Sequence, residues 1–95
     1  MKFRDETLQK LREQLRNWDE EIERLQAKMD AARQSLRAEY QERLDELRAR
    51  REEARGRLED LGRATGEAWN EARQGVDRAW EEMKTSLKRE RDRLD

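Results

Sequence analysis

The chain has no histidine, no cysteine and no proline among its 95 residues. Those absences exclude a Ser–His or Cys–His nucleophile pair, a disulfide, a zinc-ligand set and the Glu-x-x-His motif of di-iron bundles. The lack of cysteine leaves the redox compartment open. Glycine occurs only at Gly56, Gly62, Gly66 and Gly75, a spacing that makes neither a phosphate-binding loop nor a dinucleotide fingerprint. Aromatic residues are 5% of the chain, and unbroken apolar runs stop at pairs such as Ala31-Ala32 and Ala79-Trp80. No stretch is therefore apolar enough to span a bilayer. The opening Lys2, Arg4, Asp5 and Glu6 lack the apolar core of a signal peptide, so a cytoplasmic location is expected.

What is present is charge: 49% of the residues are charged and only 33% hydrophobic. At this length a single globular core normally needs more apolar side chains. High charge with regular apolar spacing points instead to long helices and coiled coils. The 23 basic and 24 acidic residues are spread evenly, without a basic tail. That balance gives no electrostatic case for nucleic acid and only a weak one for an anionic membrane.

From Leu8 the apolar residues are Leu8, Leu11, Leu15, Trp18, Ile22, Leu25, Met29, Ala32 and Leu36, stepping alternately by three and four. The mean step of about 3.5 residues is the seam of a coiled-coil helix. A four-residue irregularity follows through Tyr40 and Leu44 to Leu47, read as a stutter that unwinds the supercoil without ending the helix. The seam continues through Arg51 and Ala54 and recovers at Leu58 and Leu61. Acidic residues precede basic ones by four at Glu6/Lys10, Glu20/Arg24, Glu39/Arg43, Glu46/Arg50, Glu53/Arg57 and Glu59/Arg63, each pair favouring helix by ~0.2–0.5 kcal/mol. One long helix over about residues 5–61 is the expectation.

Gly62 suits the left-handed position past a helix end, and Thr65 suits the N-cap of a following helix. A tight turn is expected here, the alternative being two glycines carried inside a continuous helix at ~1 kcal/mol each. The second helix, about 66–94, has the stripe Trp69, Ala72, Val76, Trp80, Met83, Leu87 and Leu94. Gly75 inside it suggests close approach of another backbone. Folded back as an antiparallel hairpin, it sets Trp80 near Leu47, Trp69 near Leu58, Val76 near Arg51 and Ala54, and Leu87 near Tyr40. The intrachain seam is then Tyr40, Leu44, Leu47, Ala54, Leu58, Leu61, Trp69, Val76, Trp80, Met83 and Leu87.

The expected architecture is all-α, one unit over 1–95: a hairpin at 34–94 and a protruding arm at 8–33. The hairpin leaves Leu8, Leu11, Leu15, Trp18, Ile22, Leu25 and Met29 uncovered, at ~1.5–3 kcal/mol for each large side chain left in water. Those seven residues are therefore expected to be an intermolecular seam, most simply in a homodimer. Lys28 would oppose Arg33 of a parallel partner, which favours an antiparallel pair.

No small-molecule substrate, cofactor or metal is expected, and an enzyme is not. Neighbouring carboxylates such as Glu20 with Glu21 or Glu52 with Glu53 point about 100° apart on a helix and do not converge. The arginines at 48, 50, 51, 55 and 57 form the densest basic cluster, but Glu52 and Glu53 interrupt it, unlike a phosphate-tracking surface. The three tryptophans read first as seam residues. The alternative makes Trp69, Val76, Trp80, Met83 and Leu87 a lipid-facing stripe, with Arg73, Arg78, Lys84 and Lys88 reaching headgroups of a membrane surface. Glu71, Asp77, Glu81 and Glu82 oppose that by cancelling the basic charge.

The series Leu15-x-x-Trp18-x-x-Glu21-Ile22, Glu39-Tyr40, the run from Glu46 to Ala54, Gly66-Glu67-Ala68-Trp69, Gly75-Val76 and Ala79-Trp80 resembles a group of small bacterial coiled-coil proteins. They are largely uncharacterised, and some carry a stress-response label. The resemblance spans nearly the whole chain and is most specific at the Trp and Gly positions of 66–80. It supplies no catalytic residue and implies a cytoplasmic or envelope-associated helper role.

Overall fold

The heptad of residues 8–29 forms a helix, as its spacing requires, but that helix stops at Asp30. In the computed structural model, which describes residues 2–94 and the side chains of 3–93, α1 runs Lys2–Asp30, α2 Gln34–Arg63 and α3 Glu67–Leu94. Helices α1 and α2 are antiparallel neighbours, as are α2 and α3, and α1 touches α3 more sparingly. The helices hold 29, 30 and 28 residues, so each is about 42–45 Å long at ~1.5 Å per residue. They lie side by side in a rod of 51 × 19 × 18 Å.

The expected continuous helix over 5–61 is thus corrected to two helices joined at residues 31–33. No glycine, proline or capping side chain marks the reversal. Arg33, with φ −58° and ψ 143°, leads into α2 without a side-chain cap. Backbone bonds close the turn: Ala31 N–H to Ala27 C=O at 3.2 Å, Ala32 N–H to Met29 C=O at 3.1 Å, and Leu36 N–H to Arg33 C=O at 2.9 Å. Tertiary packing therefore sets this break, not local propensity.

The reversal was written in the phase of the seam. Tyr40, Leu44, Leu47, Arg51, Ala54, Leu58 and Leu61 repeat steps of four and three without error, one position out of step with the series ending at Met29. What reads as a stutter is the junction of two separate seams. Leu36, counted into the first seam, falls on α2 beyond the junction and stands 37% exposed.

The protruding arm at 8–33 is corrected in the same way. Leu8, Leu11, Leu15, Trp18, Ile22, Leu25 and Met29 are all buried inside the subunit, in one cluster with Leu44, Leu47, Ala54, Leu58, Leu61, Val76, Ala79, Trp80, Met83 and Leu87. Tyr40, Trp69 and Ala72 are half-buried against it. The reason for expecting a dimer through residues 8–29 is thereby removed. Leu94, the last member of the expected α3 stripe, lies outside the described side chains.

The second turn was legible but shifted. Helix α2 includes Gly62 and ends at Arg63, with Ala64 extended (φ −76°, ψ 145°) and its N–H on Leu61 C=O at 3.2 Å. Gly66, not Gly62, has the left-handed backbone, at φ 58°. It takes the place next to the helix that Thr65 was expected to fill, and its C=O accepts the Trp69 N–H at 3.2 Å. Gly75 lies against the Arg57 side chain, whose Cδ sits 3.5 Å from where a Cβ would project. The expected neighbouring backbone is therefore an arginine stem. Arg57 over Gly75 and Arg50 Nη1 3.4 Å from Glu82 Oε2 place the α2–α3 hairpin within about one turn of the expected register.

Truncating Ile22→Ala is expected to lower unfolding free energy by about 2–5 kcal/mol, the cost of a buried aliphatic deletion. Because the cavity is internal to one subunit, the loss should be the same at micromolar and at hundred-micromolar protein. A midpoint of urea unfolding that rises with concentration would return residues 8–29 to an interface.

Candidate functional site

Three charged residues occupy positions that the seams would give to apolar ones, and each sits at a different height of the bundle. Arg4 is one four-residue step before Leu8, Arg51 lies between Leu47 and Ala54, and Glu90 is three after Leu87. Their partners show where the core is tied and where it is left open.

Midway along, Arg51 reaches from α2 to α1, with Nε 2.7 Å from Asp19 Oδ1. The pair is close but lacks the alignment of a hydrogen bond, so it acts as a charge contact. Nearby, Arg48 donates to Gln26 Oε1. Trp18 and Trp80 meet with ring centroids 5.0 Å apart and planes at 52°. The Trp80 indole N–H donates to Gln14 Oε1. These contacts join α1 to both other helices and give the indoles a structural role.

The basic cluster of α2 is dispersed by the same packing. Arg48 and Arg51 turn toward α1, Arg50 toward Glu82 of α3, Arg55 to Glu52 and Glu59, and Arg57 over Gly75 toward Glu53. Of the expected pairs, Glu39/Arg43 and Glu53/Arg57 form, whereas Arg50 chooses Glu82 over Glu46. The paired carboxylates also separate: Glu21 takes Arg91 at 3.0 Å, while Glu52 binds Arg51 and Arg55. Among the described residues no group of three acidic side chains converges as a metal site. No described helix is long and apolar enough to cross a membrane. Most of the lipid-facing stripe considered for α3 is inside the bundle, since Val76, Trp80, Met83 and Leu87 are buried.

At the end of the bundle holding the α1–α2 turn, Glu90 is buried and its Oε2 has no hydrogen-bond partner. It borders a space of about 20 Å³ shared with Arg43, Arg50, Ser86 and Arg89. The unpaired oxygen is local to α3's last turns.

The other end is different. There the start of α1 lies against the α2–α3 turn, and Arg4 extends across it. Its Nη2 donates to Gly62 C=O at 2.8 Å, and its guanidinium lies 4.8 Å from the centre of the Trp69 ring. Phe3 is 78% exposed beside it. Phe3, Arg4, Gly66 and Trp69 line an open, mostly apolar cleft of about 280 Å³. This is the candidate binding site. Of these four residues only Trp69 was singled out for the seam. Phe3 breaks the three-four stepping, five residues before Leu8, and an apolar residue off the seam is the signal that marks it.

No family model matches the chain, and neither a curated protein nor a solved structure matches it.

Replacing Glu90→Leu continues the α3 stripe and removes a buried carboxylate with an idle oxygen. The substitution is expected to stabilise the protein by about 1–3 kcal/mol, the usual cost of an unsatisfied buried polar group. Chemical denaturation at neutral pH measures it, and a destabilised variant would show that Glu90 is satisfied in solution.

Proposed function

We propose that this chain is a non-catalytic helical interaction protein, engaging its partner through the bundle end formed by Phe3, Arg4, Gly66 and Trp69. One observation carries the reading. Apart from Leu36, the other large apolar side chains described on the three helices are buried or half-buried, yet Phe3 remains in water beside a half-buried indole. Exposing an aromatic ring next to a second one costs hydrophobic free energy that a partner recovers. Aromatic side chains and arginine are also the residues most enriched at the anchoring points of interfaces.

The rest of the surface supports the same reading by its chemistry. Several of its arginines are engaged with carboxylates, as in the Glu52–Arg55–Glu59 ladder of α2. Such a face keeps the rod soluble and gives little purchase to a partner. A helper role under stress is what the likeness to small bacterial coiled-coil proteins adds.

Photo-crosslinking in cells tests it. Benzoylphenylalanine placed at Phe3 is expected to give a discrete adduct, while the same group at Gln74, exposed on α3, gives none. Adducts of the same mass from both positions, or none from position 3, would overturn this assignment.

A further inference from the structure

The cleft at the Phe3 end holds a guanidinium, that of Arg4, that makes no ion pair among the described residues. Arg43, Arg50, Arg51, Arg55, Arg57, Arg73 and Arg91 each face a carboxylate. Arg4 has no carboxylate partner among the described residues. It is held by a carbonyl oxygen at 2.8 Å and by the face of Trp69. A guanidinium has five N–H donors in a rigid fork, and Gly62 accepts through only one nitrogen of it. Stacking fixes the group in place, so taking an anion costs it little further entropy.

The rest of the lining is apolar: the Phe3 and Trp69 rings, and Gly66, which presents no side chain. The space, about 280 Å³, falls just below the ~300–1,000 Å³ of sites for drug-sized ligands. It accommodates one ring or one branched side chain, and the rest of a longer ligand would lie outside it along the bundle end. The matching group is a single large apolar side chain with a carboxylate a few bonds away. In a protein partner those two features meet at a C-terminal residue, where the α-carboxylate adjoins the side chain.

We propose that this cleft captures the C-terminus of a partner protein that ends in an aromatic or large aliphatic residue. The side chain lies between Phe3 and Trp69, and the α-carboxylate pairs with the free donors of Arg4. The proposal rests on reading this end as the binding surface and adds the chemistry of what binds.

Nuclear magnetic resonance on the full chain, labelled with nitrogen-15, tests it with three probes. They are the peptide acetyl-Gly-Ser-Gly-Phe with a free carboxylate, the same peptide as its C-terminal amide, and 3-phenylpropionate. The free-acid peptide is expected to shift the Gly66 amide and Trp69 indole resonances saturably. The amide should bind at least about tenfold more weakly, the scale of one charge-assisted pair, and 3-phenylpropionate more weakly than the peptide acid. Arg4→Gln should erase the preference for acid over amide, whereas Arg4→Lys retains part of it. The comparison of acid with amide needs no variant, so it stands even if Arg4→Gln loosens the bundle end. Equal binding of acid and amide overturns the carboxylate pairing and leaves an apolar interaction surface. Phenylpropionate binding as tightly as the peptide overturns the protein C-terminus in favour of a small free acid. If no probe moves either resonance, the proposal fails; crosslinks from position 3 would then keep the broader interaction reading, and their absence would end both.

Discussion

The apolar face of α1 has to be covered, and nearly every other feature follows from how that is done. Seven large side chains lie on it from Leu8 to Met29. Left in water they would forfeit ~1.5–3 kcal/mol each. Continuing α1 straight into α2 would save only the few helical hydrogen bonds lost at residues 31–33, each worth ~1 kcal/mol net. Burial wins by a wide margin. The chain bends at Ala31-Ala32-Arg33, where nothing in the local sequence favours bending, because bending there lets residues 40–61 lie along residues 8–29.

How much of this was legible follows from the same inequality. The heptads, the half-buried Trp69 and the Gly62–Gly66 reversal are local signals, and each is readable within a dozen residues. Gly66 was in view as part of the turn, although the left-handed place had been given to Gly62. The break after Asp30 has no local signal of its own. It was visible only as a slip of phase between the Met29 seam and the Tyr40 seam, and a slip of phase is also what a stutter looks like. Deciding between the two requires asking what covers the first seam. A partner subunit and the same chain's second helix satisfy that demand equally well in sequence. The candidate site was less legible still. Phe3 and Arg4 acquire meaning only once α1 is laid against the α2–α3 turn, more than fifty residues away along the chain.

Charged residues at seam positions then divide the bundle into zones. Arg51 at mid-height meets Asp19 across the α1–α2 interface, and a part-exposed charge pair of that kind adds little stability while marking the register of the two helices. The Trp18–Trp80 contact and the Gln14 acceptor for the Trp80 indole do for α1 and α3 what Arg51 does for α1 and α2. Glu90 sits at a seam position with an idle oxygen, a local cost carried by a core whose other layers are well filled.

Arg4 ends the core at the opposite pole, and there the consequence is a surface. A leucine at that position would extend the hydrophobic layer of α1 and pull Trp69 inward. The arginine instead bridges to Gly62 and stacks on the indole, which holds the ring at the rim without sealing it. Phe3, one residue off the seam, points away from the core and stays exposed. A charged residue in an apolar place thus marks the end of the packing, with an exposed phenyl ring beside it and a half-buried indole beneath its guanidinium. Along α2, by contrast, the surface is built from Glu and Arg ladders.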